Sequence, residues 1–300
     1  MLFRSMMRFA AIPLLKANPQ PFRWGRFGFT LAAWAVPLFL VLLPIAGFVA
    51  FSFWVRQEQE FIPALSLINY ERWVSDPIYL KVFLLTLQLA AGVTLLDILI
   101  GYPIAYFISQ RRSSMRGFLL ALIVAPLFMS FIVKLYALRS LMGSSGYIAT
   151  FFESVGLDIP VTALLFNQTA IFSTMVIIYL PFIILPIYAT LTKLPENLLS
   201  ASADLGARPG QTFRRVVFPL SLPGTLVGGI FVFILAVGDF VTPQMMGGTR
   251  GFTYGKLVWS QFGLAFEWPF GAAMAMVLLL VSLVAIFIAI WLGRKGAVAL

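Results

Sequence analysis

Two carboxylates and one ammonium stand inside stretches otherwise free of charge: Asp97, Asp239 and Lys134. An ionisable side chain at mid-helix in a bilayer costs ~2.5–3.5 kcal/mol on insertion scales, so each requires a physical account. Asp97 has two readings. It pairs with Lys134 or with a group on another subunit, or it lines a solute route; pairing weighs slightly more, because a buried charge needs a partner. Lys134 falls within about a turn of the end of its apolar run, where its stem can carry the ammonium to the interface. Asp239 follows Gly238 and precedes Phe240 and Pro243. A carboxylate beside an aromatic ring suits an organic cation through ion pairing and cation–π contact; the competing reading is a helix cap or a subunit contact.

The rest of the inventory excludes most enzymology. The chain has no cysteine and no histidine, which removes thiolate nucleophiles, iron–sulfur clusters, imidazole metal sites and Ser-His-Asp triads. Gly255-Lys256 does not make a phosphate loop, because Leu257 stands where Ser or Thr is required and position 250 is Arg instead of Gly. No nucleotide, cofactor or metal site is expected on this chain.

The most informative stretch is KLPENLLSASADLGARPGQTFRRVVFPLSLPG, from Lys193 to Gly224. Pro195 can open a helix with Glu196 in its first turn. Leu198, Ala201, Ser202 and Leu205 recur at helical spacing and form one small apolar face. Gly206 can take the left-handed conformation that ends a helix, and Pro209 can start a second one. In that second helix Phe213, Val216 and Val217 share a face, Arg214 and Arg215 reach outwards, and Pro219 and Pro223 are expected to stop it at the membrane. A plain connection would need only ~4–6 residues. Two punctuated helices with an apolar face read as a docking surface.

These residues must be positioned by membrane helices. Of 300 residues, 61% are hydrophobic and 11% charged, against roughly 25% charged in soluble domains. Six runs approach the ~20 apolar residues that a bilayer requires: Phe29–Phe53, about Val82–Ile108, Gly117–Leu138, a fourth from about Thr169, about Leu222–Val241, and about Phe270–Leu292. They lack the alternation of barrel strands, so the fold class is an all-α membrane protein with six transmembrane helices. Gly224 and Gly228 give a G-x-x-x-G spacing that permits close helix approach. Trp54, Trp268 and Trp291 suit aromatic belts, and Thr253–Phe266 reads as an amphipathic helix at a membrane face.

Phe29–Phe53 is too long for the h-region of a signal peptide, so it is read as a span. Before it, Arg4 and Arg8 sit among Phe3, Met6, Met7 and Phe9, as in a short helix on an anionic membrane surface. The formal net charge of +10 also has an orientation. With the amino end inside, the inner segments carry 14 basic and two acidic residues, and the outer segments six basic and seven acidic. Positive residues favour the cytoplasmic side, so both termini are expected there. The expected organisation is a basic amino-terminal segment 1–28, a transmembrane domain 29–293 with its loop at 193–220, and a tail 294–300. Charge distributed in this way points to topology; no nucleic acid is expected as a partner.

The loop resembles that of importer-type ABC transporter permeases, whose motif is Glu-Ala-Ala, three residues, Gly, nine residues, then Ile-x-Leu-Pro. Aligned on Gly206, this chain has Ser200-Ala201-Ser202 and Val216-Val217-Phe218-Pro219. The spacing, the second Ala, the Gly and the final Pro are kept, whereas Ser200 and Ser202 replace the Glu and the third Ala. The stretches LLTLQLA, IGYPIAYFIS, LPFIILPIY, GDFVTPQMMGG and EWPFGAA resemble spermidine/putrescine-type inner-membrane permeases. The resemblance implies a type I importer permease fold in a bacterial cytoplasmic membrane, contacting lipid. It implies as partners a homologous second permease, two cytoplasmic ABC ATPase subunits that hold the ATP, and a periplasmic substrate-binding protein. Leu198, Ser200, Ala201, Ser202, Leu205, Gly206, Arg214 and Pro219 would form the ATPase-coupling loop, and Asp97, Asp239 and Phe240 are the candidates for the translocation path. The runner-up, an ion-gradient-driven secondary transporter, would need no such loop.

Overall fold

The computed structural model describes residues 24–58, 60–143, 146–156 and 164–298. The basic segment containing Arg4 and Arg8 lies outside them. Two units are distinguished, residues 1–47 and 48–300. In the first, the described part is most of a long helix, α1 (Trp24–Ser52), whose apolar side chains from Ala33 to Gly47 are exposed. A helix of ~20 apolar residues with no protein cover is matched to hydrocarbon.

The second unit is built on three helices, α3 (Pro77–Ser109), α7 (Gln168–Leu191) and α10 (Phe218–Gly238). An antiparallel ribbon, β1 (Val55–Gln57) with β2 (Glu60–Ile62), and the short helix α2 (Ile68–Ser75) precede them. Two of the long helices, α3 and α7, start on a polar signal. The Asp76 carboxylate accepts from the Ile78 amide at 2.9 Å with Pro77 in the first position, and the Asn167 side chain accepts from the Ala170 amide at 2.7 Å. Inside, α7 is apolar on every face and buries Met175, Ile183, Ile184 and Ile187 against Val93 and Ala105 of α3 and Val232 of α10. Among the described residues five helices are long and apolar enough to cross a membrane, six if one bent pair counts as a span.

That bent pair departs from the expected third span. α4 (Ser113–Val124) passes through a 3-10 turn, Ala125–Phe128, into α5 (Phe131–Leu141), and the two halves differ in direction by 101°; the short α6 (Tyr147–Ser154) follows. Pro126 has no amide to offer Leu122, and Met129 turns extended, so the ladder is interrupted there.

The loop after α7 folds as α8 (Glu196–Asp204) and α9 (Pro209–Thr212). Pro219 and Pro223 do not stop the second helix, contrary to expectation. A π-helical turn, Phe213–Val217, joins α9 to α10, and the rod runs unbroken from Pro209 to Gly238. In that turn the Phe218 amide reaches back to the Phe213 carbonyl, five residues away. The wider register accommodates the missing amide of Pro219, so the helix continues. At its far end α10 stops at Gly238, three residues short of the expected limit near Val241, so Asp239 and Phe240 lie beyond the helix. Asp239 is extended, and α11 (Val241–Met246) begins immediately after it. The expected amphipathic segment is α12 (Tyr254–Gly263), and α13 (Trp268–Val298) closes the described chain.

Glycines bring the rods together. A Cβ at Gly101 of α3 would stand 2.5 Å from Ile183 Cγ2, and one at Gly228 of α10 would stand 2.8 Å from Ile183 Cδ1. One turn away, a Cβ at Gly224 would collide with Thr190 Oγ1 and the Pro186 carbonyl. The G-x-x-x-G spacing is therefore a contact face for α7. Overpacking such a face costs roughly 1–3 kcal/mol. Gly228→Leu should sharply lower the yield of monodisperse protein in size-exclusion chromatography, whereas Gly117→Ala, where a Cβ meets nothing within 4 Å, should not.

Candidate functional site

Asp239 and Lys134 share a site with Tyr179, in the middle of α7. Its hydroxyl donates to Asp239 Oδ2 at 2.8 Å, and both residues are buried. The other oxygen, Asp239 Oδ1, accepts from the amides of Val241 at 2.9 Å and Thr242 at 3.0 Å. Asp239 thus caps α11 and ties the end of α10 to the middle of α7. It is extended because a carboxylate that serves the next helix's amides cannot also sit in the preceding helix.

Asp97, on α3, is fully buried, and neither of its oxygens has a hydrogen-bond partner among the described residues. It lies within electrostatic reach of Tyr179. The pairing with Lys134 weighed from the sequence is not formed. A carboxylate without donors in an apolar core is costly unless an opposite charge comes to it.

Lys134 instead lines a cavity of about 380 Å³ together with Phe131, Tyr179, Phe182, Asp239 and Phe240. Ile178, Ile234, Leu235, Gly238 and Val241 complete the wall. Phe240 stacks on Trp259 of α12, ring centroids 6.1 Å apart and planes at 10°, so its ring is held at the cavity edge. The structure therefore brings Asp239, Phe240 and Lys134 to one site; among the described residues that line it Asp97 is not found. Tyr179, Phe131 and Phe182 were not singled out in the sequence. The available signal for the first was chemical: between Thr174 and Tyr188 it is the one hydroxyl in an apolar run.

At the loop, Gly206 has φ +73°, the left-handed conformation expected of it. Its amide donates to the Ala203 carbonyl at 2.9 Å and the Ala207 amide to the Ser202 carbonyl at 3.1 Å, the paired bonds of a Schellman end. The Arg208 amide donates to Gln211 Oε1 at 2.9 Å, which fastens the start of α9. Ser202 Oγ and Thr212 Oγ1 share a hydrogen bond of 2.8 Å that joins the two helices. The loop is a fixed hairpin, and the serine that departs from the family motif makes that joining bond.

One side of the hairpin is attached to the bundle. Leu199 and Phe213 pack on the core, and the Phe213 ring lies 5.8 Å from that of Tyr102 and 5.6 Å from that of Tyr106 on α3. Tyr102 in turn shares a 2.6 Å hydrogen bond with Ser221 of α10. On the other side Leu198, Ala201 and Leu205 are exposed, Leu205 at 88%. Ser200 is exposed too, and Arg214 and Arg215 point to solvent where a broad groove of about 810 Å³ is lined by Arg208, Gly210, Gln211, Arg214 and Arg215. Pro219 is half-buried at the start of α10.

The family described as binding-protein-dependent transport system inner membrane component matches residues 97–295. The chain is 34% identical over 254 residues to the spermidine/putrescine transport system permease protein PotB of Escherichia coli (strain K12), covering 84% of this chain and 91% of that protein. It is 37% identical over 247 residues to the inner membrane ABC transporter permease protein YdcU of the same organism, covering 78% of this chain and 77% of that one. Among solved structures, a chain of a bacterial ABC transporter involved in the import of the acidic polysaccharide alginate superposes with a TM-score of 0.71 at 15% identity, over 91% of this chain and 96% of that one. At that identity the likeness concerns the fold.

A hydrogen bond to a charged group contributes roughly 1.5–3 kcal/mol when its loss leaves a buried partner unsatisfied. Asp239→Ala, which removes all three bonds, should lower the apparent melting midpoint most. Tyr179→Phe should lower it less, and Asp239→Asn least, because the amide oxygen still accepts from Val241 and Thr242. Thermal unfolding of the purified protein in one detergent checks the order.

Proposed function

The chain belongs to the binding-protein-dependent transport system inner membrane component family and is an ABC importer permease; from that premise we propose that it carries a polyamine or a closely similar alkylammonium solute. A permease is a transport component and not an enzyme, and the gradient-driven carrier considered from the sequence is set aside by family membership. The observation that carries the substrate reading is the cavity of four aromatic side chains and one carboxylate, Phe131, Tyr179, Phe182, Phe240 and Asp239. Ring faces and a carboxylate attract ammonium groups, and a chain of methylenes between those groups suits the remaining apolar wall. The likeness to a spermidine/putrescine permease supports the same class.

The route we propose has two carboxylate stations. Asp239 and Phe240 meet the cation at the cavity, and Asp97, buried without a donor, receives it once Tyr179 moves aside. A cation passing Asp97 would supply the counter-charge which that carboxylate lacks in the closed bundle.

The drive is proposed to arrive through the hairpin. Both termini and this loop lie in the cytoplasm, as the basic residues favour. Leu198, Ala201 and Leu205, with Ser200 beside them, seat in a cleft of an ABC ATPase subunit, and Arg214 lies at its margin. Two ATPases closing on ATP would push the hairpin, which Ser202–Thr212 and the Gly206 turn make rigid. Phe213 against Tyr102 and Tyr106 then transmits the push to α3, and the unbroken rod beyond Pro219 transmits it to α10. A homologous second permease completes the path in the bacterial inner membrane, and a periplasmic binding protein delivers the solute. This chain itself holds no nucleotide in the proposed cycle.

Uptake of radiolabelled spermidine by cells carrying the complete importer should be competed by putrescine and not by amino acids or sugars. Equal competition by either of the latter would overturn the substrate reading. Gly206→Val places a β-branched residue at φ +73°, a strain of roughly 1–3 kcal/mol that α8 can escape only by opening. Solute-stimulated ATP hydrolysis by the assembled complex should fall to its basal level; unchanged stimulation would remove the hairpin from the drive.

A further inference from the structure

Among the described residues Lys134 is the one positively charged residue in the cavity wall, and neither the family resemblance nor the two-station route uses it. Its side chain is an aminobutyl group, the same chemistry as the end of an aliphatic polyamine. Around it stand the rings of Phe131, Tyr179, Phe182 and Phe240 and the carboxylate of Asp239. That environment selects for cations and against anions, because ring faces are electron-rich and Asp239 adds a formal negative charge.

The lysine is held loosely. It makes no ion pair among the described residues, since the Asp239 carboxylate already accepts from the Tyr179 hydroxyl and from the amides of Val241 and Thr242. Its nearest aromatic restraint is Phe131, with Nζ 5.8 Å from the ring centroid, close to the outer limit of about 6 Å for such contacts. It enters from α5, beyond the 101° bend that follows Phe128, so a side chain from the broken span reaches a cavity walled mainly by α7 and α10. An ammonium in a cation-selective cavity, with no partner that locks it, can be exchanged for another ammonium at little cost.

We propose that Lys134 is a specificity-determining residue of this cavity, a tethered ammonium that occupies it when no solute is bound and is displaced by the entering alkylammonium solute. This rests on the polyamine reading and extends it. The resident group keeps the cavity from holding stray monoamines and makes solute entry an exchange of like for like. Removing its charge leaves an empty site of unchanged shape and greater affinity.

The test is equilibrium binding of radiolabelled spermidine to the purified permease–ATPase complex without binding protein, for the wild type and for Lys134→Met, Lys134→Gln and Lys134→Arg. The two neutral variants should bind roughly two- to five-fold more tightly, the factor that displacing one weakly held cation–π contact represents. Lys134→Arg should stay near the wild type, and melting midpoints should change little in all three. If Met fails to assemble, Gln decides. Unchanged or weaker binding by the neutral variants, with polyamine uptake intact, overturns the role of Lys134 alone. If the wild-type importer takes up another solute and no polyamine, the substrate reading falls and this inference falls with it.

Discussion

The close approach of α7 to α3 and α10 sets the level of every other group in the bundle. In hydrocarbon, an apolar side chain gains nothing by exchanging lipid for protein, so helices associate through van der Waals contact and through what small residues allow. Ile183 is the measure of it: Gly101 faces it from α3 and Gly228 from α10, each too near to admit a Cβ. With Gly224 against Thr190 and Pro186 one turn away, α10 can slide along α7 by neither a residue nor a fraction of one. That lock leaves Tyr179 of α7 within reach of Asp239 at the end of α10.

Polar groups at these depths are placed by helix ends as much as by helices. Asp239 serves two amides of α11 and the Tyr179 hydroxyl at once, which is possible because α10 ends one residue earlier. The third span breaks at Met129 and Ser130, just after the turn that holds Pro126, and Lys134 beyond the break lines the cavity. Pro219, by contrast, breaks nothing, because a π-helical turn precedes it and the rod passes through. The same residue type ends one rod and is absorbed by another, according to whether the preceding turn can widen.

Much of the hairpin was legible in the chain. Gly206, the proline at the head of α9 and the small apolar face of α8 act through local geometry, and local geometry is written at spacings of three and four residues. The span count was legible for the same reason, since twenty apolar residues in a row have one use. The cavity was not. Asp239 and Phe240 were visible as a carboxylate beside a ring, but Tyr179 lies 60 positions earlier and Lys134 on a different, broken span. Asp97 and Lys134 looked like a pair because both were unexplained charges in apolar runs, and nothing local records that they face different surroundings.

By itself the sequence determined an all-helical membrane chain, the two-helix loop and the family to which it belongs, because hydropathy, helix signals and a short motif are properties of neighbours along the chain. The tertiary structure decided which charged residues meet. It made Asp239 a cap with a role at the cavity, left Asp97 without a donor, and brought Lys134 among the aromatic rings. Those outcomes depend on the glycine-set registry of three helices and on the bend after Phe128, and registry between rods is a long-range quantity that no window of residues contains.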